Sequence, residues 1–140
     1  SLSKALDRFK TKFFFISPKS LAMPEYVTDG LENKWSVNEK LEDVLGELDV
    51  LYVTRIQKER FPDIEDYKKV SNAYIVDAEL LRNAKSKLKI LHPLPRVNEI
   101  STDVDETKHA AYFKQAFNGV PVRMALLEKL MGEEKWARIF

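Results

Sequence analysis

Residues 51–62 read LYVTRIQKERFP. The stretch opens as a core strand and closes as a dense set of hydrogen-bonding groups. Leu51, Tyr52 and Val53 suit a hydrophobic interior, whereas Arg55, Gln57, Lys58, Glu59 and Arg60 do not. Residues 48–54 form the clearest strand in the chain, a continuous apolar run that predicts burial on both faces, as parallel strands require. The question is then what a core strand gains from so much polarity at its end.

Working outward, apolar spacing alternates between strand and helix periods. Leu2, Ala5, Leu6 and Phe9 fall at helical spacing, and residues 12–16 (KFFFI) read as a short buried strand. Ser20 is a candidate cap for a turn containing Pro24, after which Tyr26, Val27 and Leu31 predict a helix to about residue 33. WSV at 35–37 predicts a strand, and Asn38 a cap for a helix carrying Leu41, Val44, Leu45 and Leu48. Residues 63–73 look loop-like or weakly helical, 73–76 (AYIV) strand-like, 78–87 helical, and 88–91 (LKIL) a strand ended by Pro93 and Pro95. Two helices follow, at about 106–117 and 121–131. Gly119 and Gly132 stand where they should stop, and Pro121 suits a first helical turn.

Strands alternating with helices imply a layered α/β domain, a three-layer parallel sheet flanked by helices. In such sheets ligands bind beyond the carboxyl ends of the strands. Arg55 and Gln57 lie just past one strand end, and His92 to Arg96 just past another. An arginine fork there suits a carboxylate or phosphate. Charge after a strand also describes an ordinary solvated loop, and His92, a lone histidine at a strand end, is more often a hydrogen-bonded structural residue than a catalyst. Asp105 and His109, four apart, have the spacing of a helical metal clamp but lack a third ligand.

Composition narrows the classes. The 140 residues make one domain of ordinary size, 44% hydrophobic and 32% charged. A net charge of +1 gives no field for nucleic acid or an anionic membrane. With no cysteine, disulfides, thiolate metal sites and cysteine nucleophiles are excluded. The longest apolar run, FFFI at 13–16, is too short for a bilayer, and Lys4, Asp7, Arg8 and Lys10 interrupt any signal-like stretch. A cytoplasmic protein is expected. The four glycines form neither GxGxxG nor a Walker loop, which argues against a dinucleotide-dependent dehydrogenase, and no serine-hydrolase elbow is present.

Three long motifs then carry a resemblance: FFFISPKSLAMPEYV, DVLYVTRIQKERF, and LKILHPLPRVNEISTDVDETKHAAYFKQAFNGVPVRMALL. In order and in register, they resemble the C-terminal half of the catalytic chain of aspartate carbamoyltransferases, from Ser1 to about Gly132. The resemblance implies an aspartate/ornithine carbamoyltransferase-like, Rossmann-like fold, with residues 1–132 as an aspartate-binding domain and 133–140 as a tail. It implies transfer of a carbamoyl group from carbamoyl phosphate to L-aspartate in pyrimidine biosynthesis, with no cofactor and no metal. On the matching motifs, Arg55 would bind a carboxylate of aspartate, Gln57 would help hold the amino acid, and the backbone at Leu94 and Pro95 would contact the carbamoyl group and the attacking amine. Lys58, Glu59, Arg60 and Arg123 would serve in the closing loop or in interdomain and subunit contacts. No residue is assigned as a catalytic acid or base, because the substrate amine is itself the nucleophile.

The related ornithine carbamoyltransferases have a motif resembling HCLP where this chain has Pro93, so aspartate is the expected substrate. Lys108 stands where the family often has proline, and LENKWSV is a couple of residues short. The tail EEKWARIF matches no family feature, and its Trp136, Ile139 and Phe140 need a surface to cover. The family's first domain, with its Ser-Thr-Arg-Thr motif, and its GRTVH strand have no counterpart here. The aspartate domain is therefore expected to lack its first central strand, and the chain to be inactive alone. It would work with a carbamoyl-phosphate domain or other chains of a catalytic trimer, and with a possible regulatory chain. It would be a split or engineered piece, a self-associating part, or a stretch of a longer chain. The alternative function is a catalytically inactive structural or assembly module.

Overall fold

The structure is a computed structural model that describes residues 2–131, apart from the side chain of Arg60. A short helix α1 (Leu2–Leu6) leads into strand β1 (Lys12–Ile16), helix α2 (Glu25–Thr28) and strand β2 (Lys34–Asn38). β1 and β2 pair in parallel, with Lys12 opposite Lys34 and Ile16 opposite Asn38. The turn after α1 is tied to this pair by Asp7, whose carboxylate accepts the backbone N–H groups of Glu32 and Asn33 at 2.9 and 3.0 Å. Those two donors hold the Asp7 carboxyl below the usual carboxylate range.

Several expected helices contract. α2 ends at Thr28, not near residue 33, because the Leu31 N–H donates to the Thr28 carbonyl and closes a turn beside Gly30. Ser20 lies inside a 3-10 turn, Lys19–Leu21, and caps nothing. Leu41, Val44, Leu45 and Leu48 are all buried, as their spacing suggests. Their backbone, however, forms turns and a 3-10 segment, Leu45–Glu47, and Asn38 is a strand residue instead of a cap. Gly46 inside that segment costs a full α-helix about 1 kcal/mol relative to alanine. The helix expected at 78–87 is likewise a 3-10 turn, Leu80–Asn83, begun by the Asp77 carboxylate accepting the Leu80 N–H at 2.8 Å.

The stretch that opened the sequence analysis becomes strand β3 (Val50–Tyr52). It is followed by helix α3 (Ile64–Val70), whose Asp63 cap accepts the Glu65 N–H, so the weakly helical reading of this segment resolves to helix. β3 pairs in parallel with strand β4 (Lys89–Leu91), placing Leu51 opposite Ile90. Burial alternates along β3: Leu51 is buried, but Val50 and Tyr52 are exposed. The expectation of burial on both faces fails because only one face of this pair meets the core. Residues 73–76 form no strand, only a single parallel bridge from Val76 to Ile100.

Among the described residues the strands make two separate parallel pairs, β1–β2 and β3–β4, and not one continuous three-layer sheet. They nevertheless share one core. Leu45, Leu81, Leu88, Ile90, Ile100 and Tyr112 form its centre, and Phe14 and Ile16 of β1 pack against it. The last helix, α4 (Tyr112–Met131), runs without interruption through Gly119 and Pro121, where two helices were expected, and residues 106–111 lie outside it. Pro121 removes one N–H from the ladder, and the Arg123 guanidinium supplies a donor to the Gly119 carbonyl at 3.0 Å in the same turn. Gly132 and the tail 133–140 lie outside the described residues.

Candidate active site at the carboxyl ends of β3 and β4

Parallel pairing sends both chains out of the sheet at the same edge. The last rung runs from the Val53 N–H to the Leu91 carbonyl, 2.9 Å. Arg55 follows two residues later on one side, and His92 follows immediately on the other.

On the first loop, Arg55 makes a two-pronged ion pair with Glu59, at 2.6 and 3.1 Å, within one turn of chain. Glu59 raises the basicity of the guanidinium, by hydrogen bonding first and by charge second. Gln57 is half-buried and introduces the 3-10 turn Lys58–Arg60, on which Lys58 and Glu59 are exposed. The Arg60 side chain lies outside the described residues. Arg55, Tyr67, Asn98 and Glu99 border a small cavity with about 30 Å³ of free space, room for a water and not for an amino acid. Arg55 is thus held shut in this state, by an internal carboxylate.

The second loop is built on His92, which is fully buried. Its Nδ1 accepts the Leu94 N–H at 2.8 Å, and its Nε2 lies 2.7 Å from Oε1 of the buried Glu99. The Gln115 side chain accepts the His92 N–H at 2.9 Å. Oε2 of Glu99 accepts the N–H groups of Val97 and Asn98, both at 3.1 Å. Burial alone would raise the Glu99 carboxyl; these N–H donors, its own N–H and His92 outweigh it and hold it below the usual range. Leu94 has φ 51, the left-handed region, and precedes a cis bond to Pro95.

Glu99 links the loops. It borders the cavity of Arg55, adds to that guanidinium's basicity, and holds the histidine that holds Leu94. The segments that carry Arg55 and Gln57 and, on the other side, Leu94 and Pro95 thus both leave the β3–β4 pair at its carboxyl end, and Arg55 shares a cavity lining with Glu99. The structure does not bring Arg123 there: that residue bonds to its own helix, and α4 meets the core through Tyr112. Arg96, considered with the rim as an anion ligand, is already engaged. Both of its prongs lie on Asp105, at 2.5 and 2.6 Å, and Tyr112 bonds to both. The Asp105–His109 metal clamp dissolves for the same reason, since the His109 ring instead donates through Nδ1 to the Leu88 carbonyl at 2.9 Å. Among the described residues no group of three or more His, Cys, Asp or Glu side chains is arranged to hold a metal.

Glu99, Tyr67 and Gln115 escaped the sequence reading. Each reaches the rim from a different element, at separations such as 7 and 23 residues from His92, which no local period marks.

A profile described as "Aspartate/ornithine carbamoyltransferase, Asp/Orn binding domain" matches residues 1–130. The chain belongs to this family. The catalytic subunit of aspartate carbamoyltransferase from Archaeoglobus fulgidus is 53% identical over 131 residues, covering 94% of this chain and 44% of the relative. Its Halorubrum lacusprofundi counterpart is 58% identical over 134 residues, covering 94% and 43%. Among solved structures, the catalytic subunit of M. jannaschii aspartate transcarbamoylase superposes with TM-score 0.83 at 47% identity, covering 92% of this chain and 44% of that one. The Trypanosoma cruzi enzyme in complex with carbamoyl phosphate and aspartate matches with TM-score 0.83 at 39% identity, covering 91% and 44%. The chain thus spans less than half the length of these relatives.

Proposed function

We propose that this chain is the L-aspartate-binding part of an aspartate carbamoyltransferase, transferring the carbamoyl group of carbamoyl phosphate to aspartate in pyrimidine biosynthesis. The observation that carries the reading is the shared edge of β3 and β4, where the Arg55 fork and the Leu94–Pro95 corner are linked through Glu99 and His92.

A carboxylate of aspartate replaces Glu59 on Arg55, keeping the bidentate geometry that Glu59 occupies here. Gln57 supports the amino acid, and the carbonyl at Leu94 orients the amine. The amine attacks the carbamoyl carbon, phosphate departs with the C–O bonding pair, and the proton that the amine loses passes to that phosphate. Positioning and fixed dipoles supply the catalysis, with no covalent enzyme intermediate, metal or cofactor. The cysteine-free motif with Pro93 favours aspartate over ornithine. The larger open cleft, about 430 Å³, is a poor rival for a dicarboxylate because Glu39, Glu42 and Asp43 line it.

Turnover on this reading needs a carbamoyl-phosphate domain, in keeping with the more than half of each relative that lies outside the match. A further parallel strand would join the two strand pairs over their common core. Lys58, Glu59, Arg60 and Arg123 would contact that domain or neighbouring subunits of a trimer, with a regulatory chain as a further partner and the cytoplasm as the setting. A second reading, an inactive assembly module, is favoured by the outward-facing apolar side chains of α4.

Mixing the chain with a separately produced N-terminal half of the Archaeoglobus fulgidus relative and assaying carbamoyl aspartate tests the two. Activity on mixing is expected, reduced at least about 100-fold by Arg55→Ala, since the fork forms two charge-assisted bonds. No turnover in any combination would favour the assembly module.

A further inference from the structure

We propose that Glu99 is a positioning residue: through His92 it sets the Leu94 corner, and through its charge it steadies Arg55, so that one buried carboxylate aligns both halves of the site. The role in turnover rests on the carbamoyltransferase reading; the structural strut does not.

The argument begins with proton bookkeeping on His92. A backbone N–H can only donate, so the Leu94 N–H at 2.8 Å requires a lone pair on Nδ1. The ring proton therefore sits on Nε2, where it is donated to Glu99 at 2.7 Å. Both nitrogens are committed, the ring is buried, and His92 has no free position with which to exchange a proton with substrate. It is a strut.

What it braces needs bracing. A non-glycine residue at φ 51 costs on the order of 1 kcal/mol and persists only where its surroundings hold it. The brace here is the bond from Leu94 N–H to the histidine, which holds the 93–94 peptide plane, the base on which the Leu94 corner is built. Glu99 in turn is over-determined: Oε1 receives the His92 proton and Oε2 receives two backbone N–H groups. Three donors spread its negative charge, so it can attract Arg55 across the small cavity without competing as a second bidentate partner.

The arrangement makes a sharp prediction for Glu99→Gln, which keeps the size and removes the charge. An amide has one accepting oxygen and one donating nitrogen. If the nitrogen faces His92 Nε2–H, two donors collide; if it faces Val97 and Asn98, it meets their N–H groups instead. The second orientation sets the amide against two fixed backbone N–H groups with nothing to relieve it, so the first is adopted, and its conflict is relieved by moving the His92 proton to Nδ1, which then rejects the Leu94 N–H.

The two histidines of this chain provide the measurement and its control. His92 should be the Nε2–H tautomer, whereas His109, donating from Nδ1 to the Leu88 carbonyl, should be the opposite one. Ring nitrogen NMR of the 15N-histidine-labelled chain at neutral pH should show one of each. In Glu99→Gln the His92 signals should shift toward the Nδ1–H pattern and the Leu94 amide should move, while His109 stays unchanged and so reports an intact core. Glu99→Asp, which keeps the charge, should restore much of the His92 pattern. In the reconstituted assay Glu99→Gln should lower kcat about 10- to 100-fold with a smaller effect on KM for aspartate, because the corner is misdirected more than the carboxylate grip is lost. A wild-type His92 in the Nδ1–H form, or one untouched by Glu99→Gln, overturns the strut. A changed tautomer with unchanged kcat overturns the positioning role. If the wild type shows no turnover at all, the enzyme reading falls, and the strut is still judged by the ring signals.

Discussion

Between His92 and Tyr112 the chain has its buried polar groups hydrogen-bonded, whereas beyond Tyr112 the same chain turns its apolar groups outward. In the first region the buried His92, Glu99 and His109 side chains are all hydrogen-bonded, and Arg96, Asp105 and Tyr112 form a closed triad at the start of α4. In the second, Phe117, Val122, Leu126 and Leu130 are each more than half exposed, and of the whole helix only Tyr112 is buried. The contrast separates what this domain settles for itself from what it leaves to be covered. A ligand-binding corner must be rigid before anything arrives, so its polar groups are satisfied internally. Large exposed apolar faces, in turn, mark surfaces that pack against other protein.

The strongest way to break the comparison is to cut the triad that joins the two regions. Arg96→Ala leaves the Asp105 carboxylate and the Tyr112 hydroxyl without their partly buried partner. We expect a loss of about 2–4 kcal/mol in urea unfolding, below the range for a fully buried pair because solvent reaches both groups. A loss under about 1 kcal/mol would mean that α4 is anchored by Tyr112 packing alone.

A smaller effect sharpens the same point through pH. Burial first, and then the neighbouring Asp105, push the Tyr112 hydroxyl up to about 12. A group raised on folding lends stability that is complete below its unfolded value near 10 and is lost as pH climbs through its folded value. Unfolding free energy should therefore fall between about pH 10 and 12, by on the order of 1–2 kcal/mol, and Tyr112→Phe should flatten that limb. Acid acts on the partner: the Arg96 guanidinium holds Asp105 below its ordinary range, so its contribution fades only as pH drops below about 4.

How legible these regions were in sequence follows from how local their causes are. Lys12–Ile16 and Lys89–Leu91 were readable because strand patterning is a property of neighbours. The apolar spacing of Leu41, Val44, Leu45 and Leu48 predicts a helix that is absent although all four are buried, because burial at i, i+3, i+4 and i+7 is satisfied by 3-10 turns as well as by an α-helix. The reverse happened at Gly119 and Pro121, where residues that usually end a helix sit in the middle of an exposed one. Arg55 and the Leu94–Pro95 corner were placed by strand polarity together with a family resemblance. Glu99 was not, since its importance lies in a ring nitrogen, two backbone amides and a guanidinium that meet only after folding.

The smallest expected effect on stability is also the most discriminating for α4. Replacing Phe117, Leu127 and Leu130 with lysine removes three outward apolar groups from one helix. In the isolated chain these side chains are already largely in water, so no transfer free energy is lost, and lysine has helix propensity at least equal to that of phenylalanine. The unfolding midpoint of the dilute protein should move by no more than about 0.5 kcal/mol. Mass action gives the second readout: if copies associate through α4, the wild-type midpoint rises with protein concentration and the variant's does not. If the face instead meets the carbamoyl-phosphate half, the wild-type midpoint is independent of concentration, and the variant loses activity only on mixing, because concentration cannot replace a contact that has been removed. A loss of several kcal/mol in the dilute chain would defeat both versions, since it would require the helix to be packed against its own core.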